Sequence, residues 1–361
     1  MLSVFSNKKV LVTGHTGFKG SWLSAWLLEL GANVIGLSVD IPSNPSHFEV
    51  IELDKRLLHI VGDVRDANTC INIIKEHQPD FIFHLAAQPL VRLSYADPAY
   101  TFETNMLGTL NILQGLHLSN HACNAIFITS DKCYDNVEQI WGYREDDKLG
   151  GKDPYSGSKG AAELIIRSYA ASFFQKKDSR VKVAVGRAGN VIGGGDWAED
   201  RIVPDIVRAW SENKVVNVRN KQSTRPWQHV LEPLSGYLVL AANLFGNPEL
   251  NGEAFNFGPD SDQNFSVEIL LQNFQTCLPG LKWEEEIHLT KPYEANLLKL
   301  CCDKALHLIN WRPSLSFAEN VSMTAEWYRE FYSSNLNMRD ITIRHINNYM
   351  EKARMKGNTW L

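Results

Sequence analysis

From residue 9 the chain runs Lys9-Val10-Leu11-Val12-Thr13-Gly14-His15-Thr16-Gly17-Phe18-Lys19-Gly20. The first part of this segment is apolar and β-branched, which predicts a strand, and a helical pattern follows over residues 19–30. The glycines between them have the spacing Gly-x-x-Gly-x-x-Gly. Such a loop lets the backbone approach a pyrophosphate, which the N–H groups and the dipole of the helix N-terminus stabilise. The segment therefore predicts a dinucleotide site, the alternative being a tight turn without a ligand.

Strand and helix patterns alternate through the first half of the chain. Strands are predicted at residues 9–13, 33–39, 58–62, 81–85, 125–129 and 181–187, and helices at 19–30, 69–76, about 100–118 and 158–174. This alternation predicts an α/β fold, a Rossmann-type doubly wound parallel sheet with a smaller C-terminal substrate-binding lobe. In such sheets ligands bind outside the carboxyl ends of the strands.

The sequence pattern changes after about residue 190. The predicted elements become shorter there and are separated by turn-forming segments such as Gly193-Gly194-Gly195 and Arg225-Pro226. We predict an NAD-binding Rossmann domain over residues 1–190, to which later segments could return. Residues 191–335 are expected to form mainly the substrate-binding lobe. Residues 336–361 are polar and charged, which predicts a C-terminal tail or a surface helix.

Composition excludes some classes of partner. The chain has 361 residues and a net charge of −5, which gives no general attraction to nucleic acid or to an anionic membrane. The six cysteines have no CxxC pair and no histidine at zinc spacing, so no metal site is predicted. With no targeting or membrane-spanning segment in the sequence, we expect a cytoplasmic protein with reduced thiols.

Several residues are expected to hold the dinucleotide. Asp40 ends the second strand, where a carboxylate accepts from ribose hydroxyls and repels a 2′-phosphate, so NAD is favoured over NADP. A surface-turn aspartate is the alternative. The remaining predicted cofactor residues lie in the glycine loop or at strand ends: Gly14, Thr16, Gly17, Phe18, Lys19, Asp63, Val64, Ala86, Ala87, Gln88, Thr129 and Arg187.

A tyrosine and a lysine begin one of the predicted helices. Tyr155 and Lys159 lie one turn apart and share a face. The ammonium of Lys159 is expected to lower the pKa of the Tyr155 phenol, making it a base near neutral pH, and to hold the nicotinamide ribose. This pair alone is common by chance, but here it follows a dinucleotide loop and the strand end at Thr129-Ser130-Asp131.

Together these motifs resemble the extended short-chain dehydrogenase/reductase family. The resemblance covers most of residues 1–330 and rests on the glycine loop, His84-Leu85-Ala86-Ala87, Thr104-Asn105, Thr129-Ser130 and Tyr155-x-x-x-Lys159. Longer strings at residues 14–22, 129–134, 193–197 and 225–233 resemble the CDP-glucose 4,6-dehydratases. The resemblance implies NAD as cofactor, a nucleotide-activated hexose such as CDP-glucose as substrate, and a homodimer formed by the helices at 100–118 and 158–174.

The resemblance also implies roles for the catalytic residues. Tyr155 would remove the proton of the 4-hydroxyl, Ser130 would hydrogen-bond the 4-oxygen, and Asp131 would protonate the departing C6 hydroxyl. Better-known relatives have glutamate as the C5 base where this chain has Lys132. Lys132 would act as base only if its pKa were lowered. The alternative is a lysine that pairs with Asp131.

Residues of the second lobe are expected at the substrate. Arg201 and Arg225 would bind the diphosphate, because a guanidinium matches phosphate oxygens. The other predicted substrate residues are Asn190, Asp196, Trp197, Trp227, His229 and Tyr293. Each aromatic side chain could instead belong to the core.

Two other functions share part of this pattern. A nucleotide-sugar 4-epimerase would use the same Tyr155, Lys159 and NAD site but needs no acid–base pair for loss of water. A non-catalytic NAD-binding regulator would keep the fold, although such proteins usually lose the tyrosine or the lysine.

Overall fold

A computed structural model describes residues 1–218, 220–285, 297–333 and 336–360. Within them, a central sheet contains β1 (Lys9–Thr13), β2 (Asn33–Ser38), β3 (Leu58–Val61), β4 (Phe81–His84), β5 (Cys123–Ile128), β6 (Val181–Arg187) and β7 (Ala254–Asn256). All neighbouring strands are parallel, in the order β7-β6-β5-β4-β1-β2-β3. The predicted fold class is confirmed.

The α-helices of the described residues are α1 (Phe18–Glu29), α2 (His47–Val50), α3 (Ala67–His77), α4 (Val91–Ala96), α5 (Pro98–Phe102), α6 (Gly108–Ser119), α7 (Pro154–Tyr169), α8 (Ile202–Ser211), α9 (Leu231–Gly246), α10 (Val267–Cys277), α11 (Asp303–Ile309), α12 (Phe317–Ser333) and α13 (Met338–Met355). The predicted helix at 100–118 is interrupted by a π-helical turn, Glu103–Leu107. None of the described helices combines the length and apolar composition needed to cross a bilayer.

The sheet is buried on both faces, as parallel sheets require. Alternate residues of β1 enter different cores: Val10 and Val12 join one, and Leu11 joins the other. β4 alternates in the same way, with Phe81 and Phe83 on the first side and Ile82 on the second. Helices α1, α9 and α13 cover the first core, and α3 and α6 cover the second.

The order of strands reverses between β1 and β4. From β1 the chain moves through β2 to β3, and from β4 it moves in the opposite direction through β5 to β6. A crevice therefore opens at the carboxyl ends of β1 and β4, which is where open α/β sheets bind ligands. The glycine loop leaves β1 at this point.

The second half of the chain adds short pairs of strands beside the large sheet. They are Val191–Ile192 with Gln228–His229, Thr224–Arg225 with Phe265–Ser266, and Val215–Val218 with Lys282–Glu285. β7 also comes from this half but extends the large sheet. The last helix, α13, buries Ile346 and Tyr349, and Trp360 beyond it is fully buried. The domain boundaries at residues 190 and 335 stay a prediction.

Candidate active site

The glycine loop forms a close turn that only glycine can make. Gly14 has φ +74°, and a Cβ there would lie 2.8 Å from the backbone nitrogen of Ala86. A Cβ on Gly20 would lie 2.0 Å from the carbonyl oxygen of Gly14. At Gly17, the N-cap of α1, a Cβ would meet only Gly14, at 3.4 Å, so its outer side is open. The loop therefore offers a cradle that fits a dinucleotide pyrophosphate.

Side chains from the loop attach it to the end of β2. The hydroxyl of Thr16 donates to the carbonyl oxygen of Asp40 over 2.6 Å, and the Thr16 N–H donates to Ser38. The ring of His15 packs where a side chain on Gly36 would stand, 2.3 Å from its hypothetical Cβ. These contacts bring the exposed Asp40 beside the glycine loop.

The other predicted cofactor residues follow β3 and β4. Asp63 accepts hydrogen bonds from Arg65, which hold the pKa of its carboxyl below the usual value. Val64 is buried against Gly108. The Gln88 side chain donates to Leu90 and Thr101 inside the protein, so its predicted cofactor contact is limited to the backbone. Ala86 and Ala87 are half-buried at the crevice.

The predicted catalytic residues meet at the carboxyl end of β5. Ser130 donates to Asp131 at 2.8 Å, and its hydroxyl acts to lower the pKa of the Tyr155 phenol. Asp131 also accepts a 3.5 Å hydrogen bond from Asn190. Gly189 makes this approach possible, because a Cβ there would lie 2.0 Å from an Asp131 carboxylate oxygen.

Helix capping places Tyr155 in this group. Asp153 caps α7 by accepting from the Ser156 N–H at 3.0 Å, and Pro154 occupies the first turn. Tyr155 and Lys159 then share a buried face of the helix. The capped start thus fixes the direction in which the phenol leaves the helix.

One electrostatic prediction is wrong. Burial raises the pKa of the Tyr155 phenol to about 12, although the hydrogen bond with Ser130 and the charge of Arg201 act to lower it. Burial and the charge of Lys19 lower the pKa of Lys159 to about 8. The ammonium of Lys159 is therefore lost at a lower pH than that at which the phenol ionises. Among the charges that act on the pKa of the phenol, the cation is the guanidinium of Arg201.

Lys132 is half-buried in the short turn that follows Ser130. Its ammonium has no hydrogen bond or ion pair within the part of the chain that the structure describes. The carboxylate of Asp131 is instead engaged by Ser130 and Asn190. The alternative prediction, in which Lys132 pairs with Asp131, is therefore wrong.

Arg201 lies immediately before α8 and forms an ion pair with a buried carboxylate. Its Nη1 donates to the carboxylate of Asp196 at 2.8 Å, and Asp196 is itself buried. The charge of Arg201 acts on both Tyr155 and Lys19. Lys19, in the first turn of α1, has its pKa lowered to about 8 by burial and by this guanidinium. The sequence predicted neither the Asp196–Arg201 pair nor the effect of its charge on Tyr155.

The family model described as GDP-mannose 4,6 dehydratase matches residues 11–324. The CDP-glucose 4,6-dehydratase of Salmonella typhimurium is 44% identical over 352 residues, which cover 96% of this chain and 97% of that protein. The chain belongs to the GDP-mannose 4,6 dehydratase family. The predicted relation to extended short-chain dehydrogenases/reductases is confirmed.

Proteins that are less similar to this chain have names that indicate other reactions or other substrates. The CDP-paratose 2-epimerase of Salmonella typhi is 26% identical, with 88% of this chain and 98% of that protein covered. DesIV, a dTDP-glucose 4,6-dehydratase from Streptomyces venezuelae solved with NAD and TYD bound, has a TM-score of 0.75 at 23% identity. The match covers 89% of this chain and 97% of DesIV, and it shows the shared fold.

Two residues of this dehydratase-family chain that were predicted to contact the cofactor, Thr129 and Arg187, belong to a buried network of hydrogen bonds around Glu163. Arg187 is fully buried and makes an ion pair with Glu163, while its Nη1 donates to the Tyr134 hydroxyl and the Glu145 carbonyl oxygen. The hydroxyl of Thr129 donates to the same Glu163 at 2.5 Å. Their side chains are committed to one another, so the predicted NAD contacts of Thr129 and Arg187 are not supported.

The aromatic residues predicted at the substrate lie in the core. Trp197 packs among Trp327 and Phe331, with ring centroids 5.7 and 5.0 Å away. Trp227 is buried beside Phe317. His229 has no solvent exposure and lies near Trp22. The core alternative therefore holds for Trp197, Trp227 and His229. Tyr293 lies outside the described residues.

The glycine triplet after β6 has a packing role as well. The indole of Trp22 donates to the carbonyl oxygen of Gly194 at 2.8 Å. A Cβ on Gly194 would lie 2.1 Å from the Trp327 ring, and one on Gly195 would lie 2.6 Å from His47. The triplet thus brings the segment that carries Asp196 against the core.

A cleft leads away from Asp131 into the second lobe. Its lining includes Gly189, Pro226, Gln228, Gly258 and Lys299. Arg225 is half-buried next to Pro226 in a short strand that pairs with Phe265–Ser266. Of the predicted catalytic residues, Asp131 lines this cleft, and Pro226, the residue after Arg225, lines it as well.

One group of potential metal ligands lies elsewhere, between α12 and α13. Glu326, Glu330 and His345 have ligand atoms within 4.8 Å of one another. Arg344 donates to both carboxylates, at 3.3 and 2.5 Å. The group is therefore an ion-pair network that connects the two helices.

Proposed function

We propose that the protein is a CDP-glucose 4,6-dehydratase, which converts CDP-D-glucose into CDP-4-keto-6-deoxy-D-glucose and water. The observation that carries the proposal is the arrangement of Asp131 and Lys132 next to Ser130, whose hydroxyl donates to Asp131 and acts on the buried phenol of Tyr155. It supplies a proton donor and an amine next to a phenol, in a chain 44% identical to a CDP-glucose 4,6-dehydratase.

The cofactor is NAD, held by the glycine loop with Asp40 at the adenosine ribose and Lys159 at the nicotinamide ribose. NAD supplies reversible hydride transfer with the sugar. The glycine loop fits it, because Gly14 and Gly20 pack too closely against backbone to carry side chains and Gly17 leaves the outer side of the turn open.

The first task of the protein is to accept the proton of the sugar 4-hydroxyl. Tyr155 takes this proton, and Ser130 donates a hydrogen bond to the 4-oxygen. Because burial holds the pKa of Tyr155 near 12, the ionised phenol is a strong base once formed. Its formation needs stabilisation by neighbouring donors and cations.

The second task is loss of water across C5 and C6. The 4-ketone makes the C5 proton acidic, and Lys132 is the proposed acceptor of that proton. Asp131 gives a proton to the C6 hydroxyl, which leaves as water and produces a 5,6-double bond. After C6 has been reduced, Lys132 returns a proton to C5. The proton that Tyr155 took from the 4-hydroxyl is released, and Asp131 regains one, so that every group returns to its starting state.

The diphosphate and the nucleoside are expected in the cleft of the second lobe. Lys299 is a cation in the lining of this cleft, and Arg225 directly precedes Pro226, which also lines it. A chain of net charge −5 requires such local positive groups to bind an anion. Residues 1–190 are proposed to hold NAD and residues 191–335 mainly the nucleotide sugar.

A homodimer is part of the proposal. Helices α6 and α7 lie side by side and expose Leu118 and Leu164, which are 48% and 56% accessible to solvent. Leu107, directly before α6, is exposed as well. Paired helices with such a face would be covered by the same helices of a second copy.

The proposed reaction is tested by incubating purified protein with NAD and CDP-glucose and then adding alkali. A 4-keto sugar gives a near-ultraviolet absorbance that a 4-epimerase or a non-catalytic regulator does not produce. UDP-glucose and dTDP-glucose serve as matched substrates. The proposal expects product chiefly from CDP-glucose, and absence of a 4-keto product from all three would contradict it.

A further inference from the structure

We propose that Gln228 accepts a hydrogen bond from the C6 hydroxyl of the sugar and orients that hydroxyl toward Asp131 for departure as water. No role was predicted for Gln228 from the sequence. This inference rests on the proposed function and extends it, because it adds a group that recognises the part of the substrate that leaves.

The side-chain amide of Gln228 is held in one orientation. Its Nε2 donates to two backbone carbonyl oxygens, that of Gly189 at 3.2 Å and that of Phe257 at 2.9 Å. Only the nitrogen of an amide donates to a carbonyl oxygen, so the flipped amide would place oxygen against oxygen. The backbone of Gln228 is fixed as well, because its N–H donates to the carbonyl oxygen of Asn190 at 3.2 Å. The position of Oε1 is therefore set by the protein.

The oxygen of this amide is a buried acceptor without a partner. Gln228 is 1% exposed, and no group in the described part of the chain donates to its Oε1. Burial of an unpaired acceptor is unfavourable, and nearly all such atoms in native proteins are paired. Because Gln228 also lines the cleft, a donor on the substrate is the partner that this oxygen requires.

Gln228 and the proposed acid contact the same short segment of chain. Asp131 and Gln228 both line the cleft. The Gly189 carbonyl oxygen accepts from Gln228, and a Cβ on Gly189 would lie 2.0 Å from the Asp131 carboxylate. The next residue, Asn190, donates to Asp131 at 3.5 Å and accepts from the Gln228 N–H. The two side chains therefore flank this segment, which allows them to contact one group of the substrate.

The other polar side chains of the cleft come from different segments. Asp260, Ser261 and Gln263 follow β7, and Lys299 lies further along the chain. The ammonium of Lys299 donates to the Ser261 carbonyl oxygen at 3.3 Å. Among the described residues nothing donates to the Gln263 side-chain oxygen either, but the backbone of Gln263 is joined to Asp260. Gln228 is the glutamine that shares the Gly189 segment with the acid.

A hydroxyl held between Asp131 and Gln228 is arranged for loss as water. Its hydrogen donates to Gln228 Oε1, which directs an oxygen lone pair toward Asp131. Lys132 takes the C5 proton, the electron pair of the C5–H bond forms the 5,6-double bond, the C6–O bond breaks, and the oxygen takes a proton from Asp131. Gln228 exchanges no proton. Its oxygen stabilises the hydrogens of the departing water, which gain positive charge as the hydroxyl is protonated.

The deciding experiment compares two substrates in the parent protein and in Q228L. CDP-6-deoxy-6-fluoroglucose loses fluoride in place of water and gives the same 5,6-double bond, but its C6 substituent cannot donate a hydrogen bond. Single-turnover measurements follow reduced nicotinamide, which forms when C4 is oxidised and decays after elimination.

In Q228L the decay should be slower by about tenfold with CDP-glucose, as expected for one lost hydrogen bond, and nearly unchanged with the fluorinated substrate. Distortion of the Gly189 or Phe257 backbone by leucine would slow both substrates, so the comparison isolates the hydrogen bond. The exposed Gln222, on the same stretch of chain, provides the control, and Q222L should leave both decay rates unchanged.

Three results with an active parent protein would overturn the inference. Equal slowing of both substrates by Q228L would give Gln228 a packing role. An unchanged decay with CDP-glucose would show that Oε1 contacts no group that leaves. Slower formation of reduced nicotinamide with a normal decay would assign the amide to the sugar near C4. A parent protein that forms neither reduced nicotinamide nor 4-keto product from CDP-glucose would instead contradict the proposed function, and the inference with it.

Discussion

The guanidinium of Arg187 and the carboxylate of Glu163 form a two-pronged ion pair away from solvent, with distances of 2.8 Å for Nε–Oε1 and 2.9 Å for Nη2–Oε2. Glu163 lies one turn beyond Lys159 on α7, and Arg187 ends β6. The pair therefore connects the catalytic helix to the sheet.

Replacing Glu163 should be strongly destabilising. The variant E163Q leaves the Arg187 charge buried without its partner, for which the expected loss is about 3–5 kcal/mol of unfolding free energy. Denaturant unfolding measures it. The exposed pair of Lys55 and Glu52 supplies a control, and E52Q should leave the unfolding midpoint in place. Equal stability of E163Q and the parent protein would show that the pair does not hold α7.

Substitution of Gly14 should disrupt dinucleotide binding. In G14A the new methyl group meets the Ala86 backbone and the residue is strained by its positive φ, which costs about 1–2 kcal/mol before any contact is counted. Calorimetric titration with NAD should show affinity reduced by at least about tenfold. Gly280 has φ +85° with nothing within 4 Å of a Cβ, so G280A separates strain from contact. Unchanged affinity in G14A would exclude the loop as the cofactor cradle.

Removal of the Lys132 amine should separate oxidation from dehydration. In K132A, oxidation at C4 should persist while loss of water slows by about 10²–10⁴. Reduced nicotinamide should accumulate, and solvent deuterium should not enter C5. K148A is the matched control, because Lys148 is 82% exposed in the same loop region. Normal turnover by K132A would assign the C5 base to another group.

Acidification should destabilise the fold because buried histidines resist protonation. Burial lowers the pKa from 6.5 to about 3 or 4 in His15, His47, His84, His229 and His345. The unfolded chain protonates each ring near pH 6.5, whereas the folded protein does not until pH 3–4. Stability is therefore complete above pH 6.5 and falls below it, by about 1.4 kcal/mol per pH unit for each histidine.

A buried carboxyl opposes this trend. Burial raises the pKa of Glu232 from 4.5 to about 7, so the folded protein holds a proton between these values that the unfolded chain lacks. This single group offsets one of the five histidines. Denaturant unfolding should be measured at about pH 7.5 and about pH 5.5, which lie on either side of the histidine pKa in the unfolded chain. The free energy of unfolding should be lower at the lower pH. Equal or higher stability there would contradict the burial of these rings.

The strands were predictable because their residues are buried on both faces. Apolar β-branched runs place β1 and β6 at the predicted bounds, and β2 ends one residue earlier than predicted. β7 was not predicted, since Ala254–Asn256 is too short to show a period and joins the sheet after a long excursion.

The site was predictable where chemistry and position in the sheet coincide. Ser130, Asp131 and Tyr155 follow strand ends or a capped helix start, and the structure brings them together. The positions of Trp197 and His229 could not be predicted, because a motif does not reveal which face of a segment is buried. The pairing of Asp196 with Arg201 became visible only in three dimensions.

The most direct measurement is the formation of 4-keto product from CDP-glucose in deuterated water by the parent protein and by Y155F. The account predicts a product with one deuterium at C5 from the parent protein, and turnover lower by about 10²–10⁴ in Y155F. A Y155F variant as active as the parent protein would contradict the central claim that the buried phenol accepts the 4-hydroxyl proton.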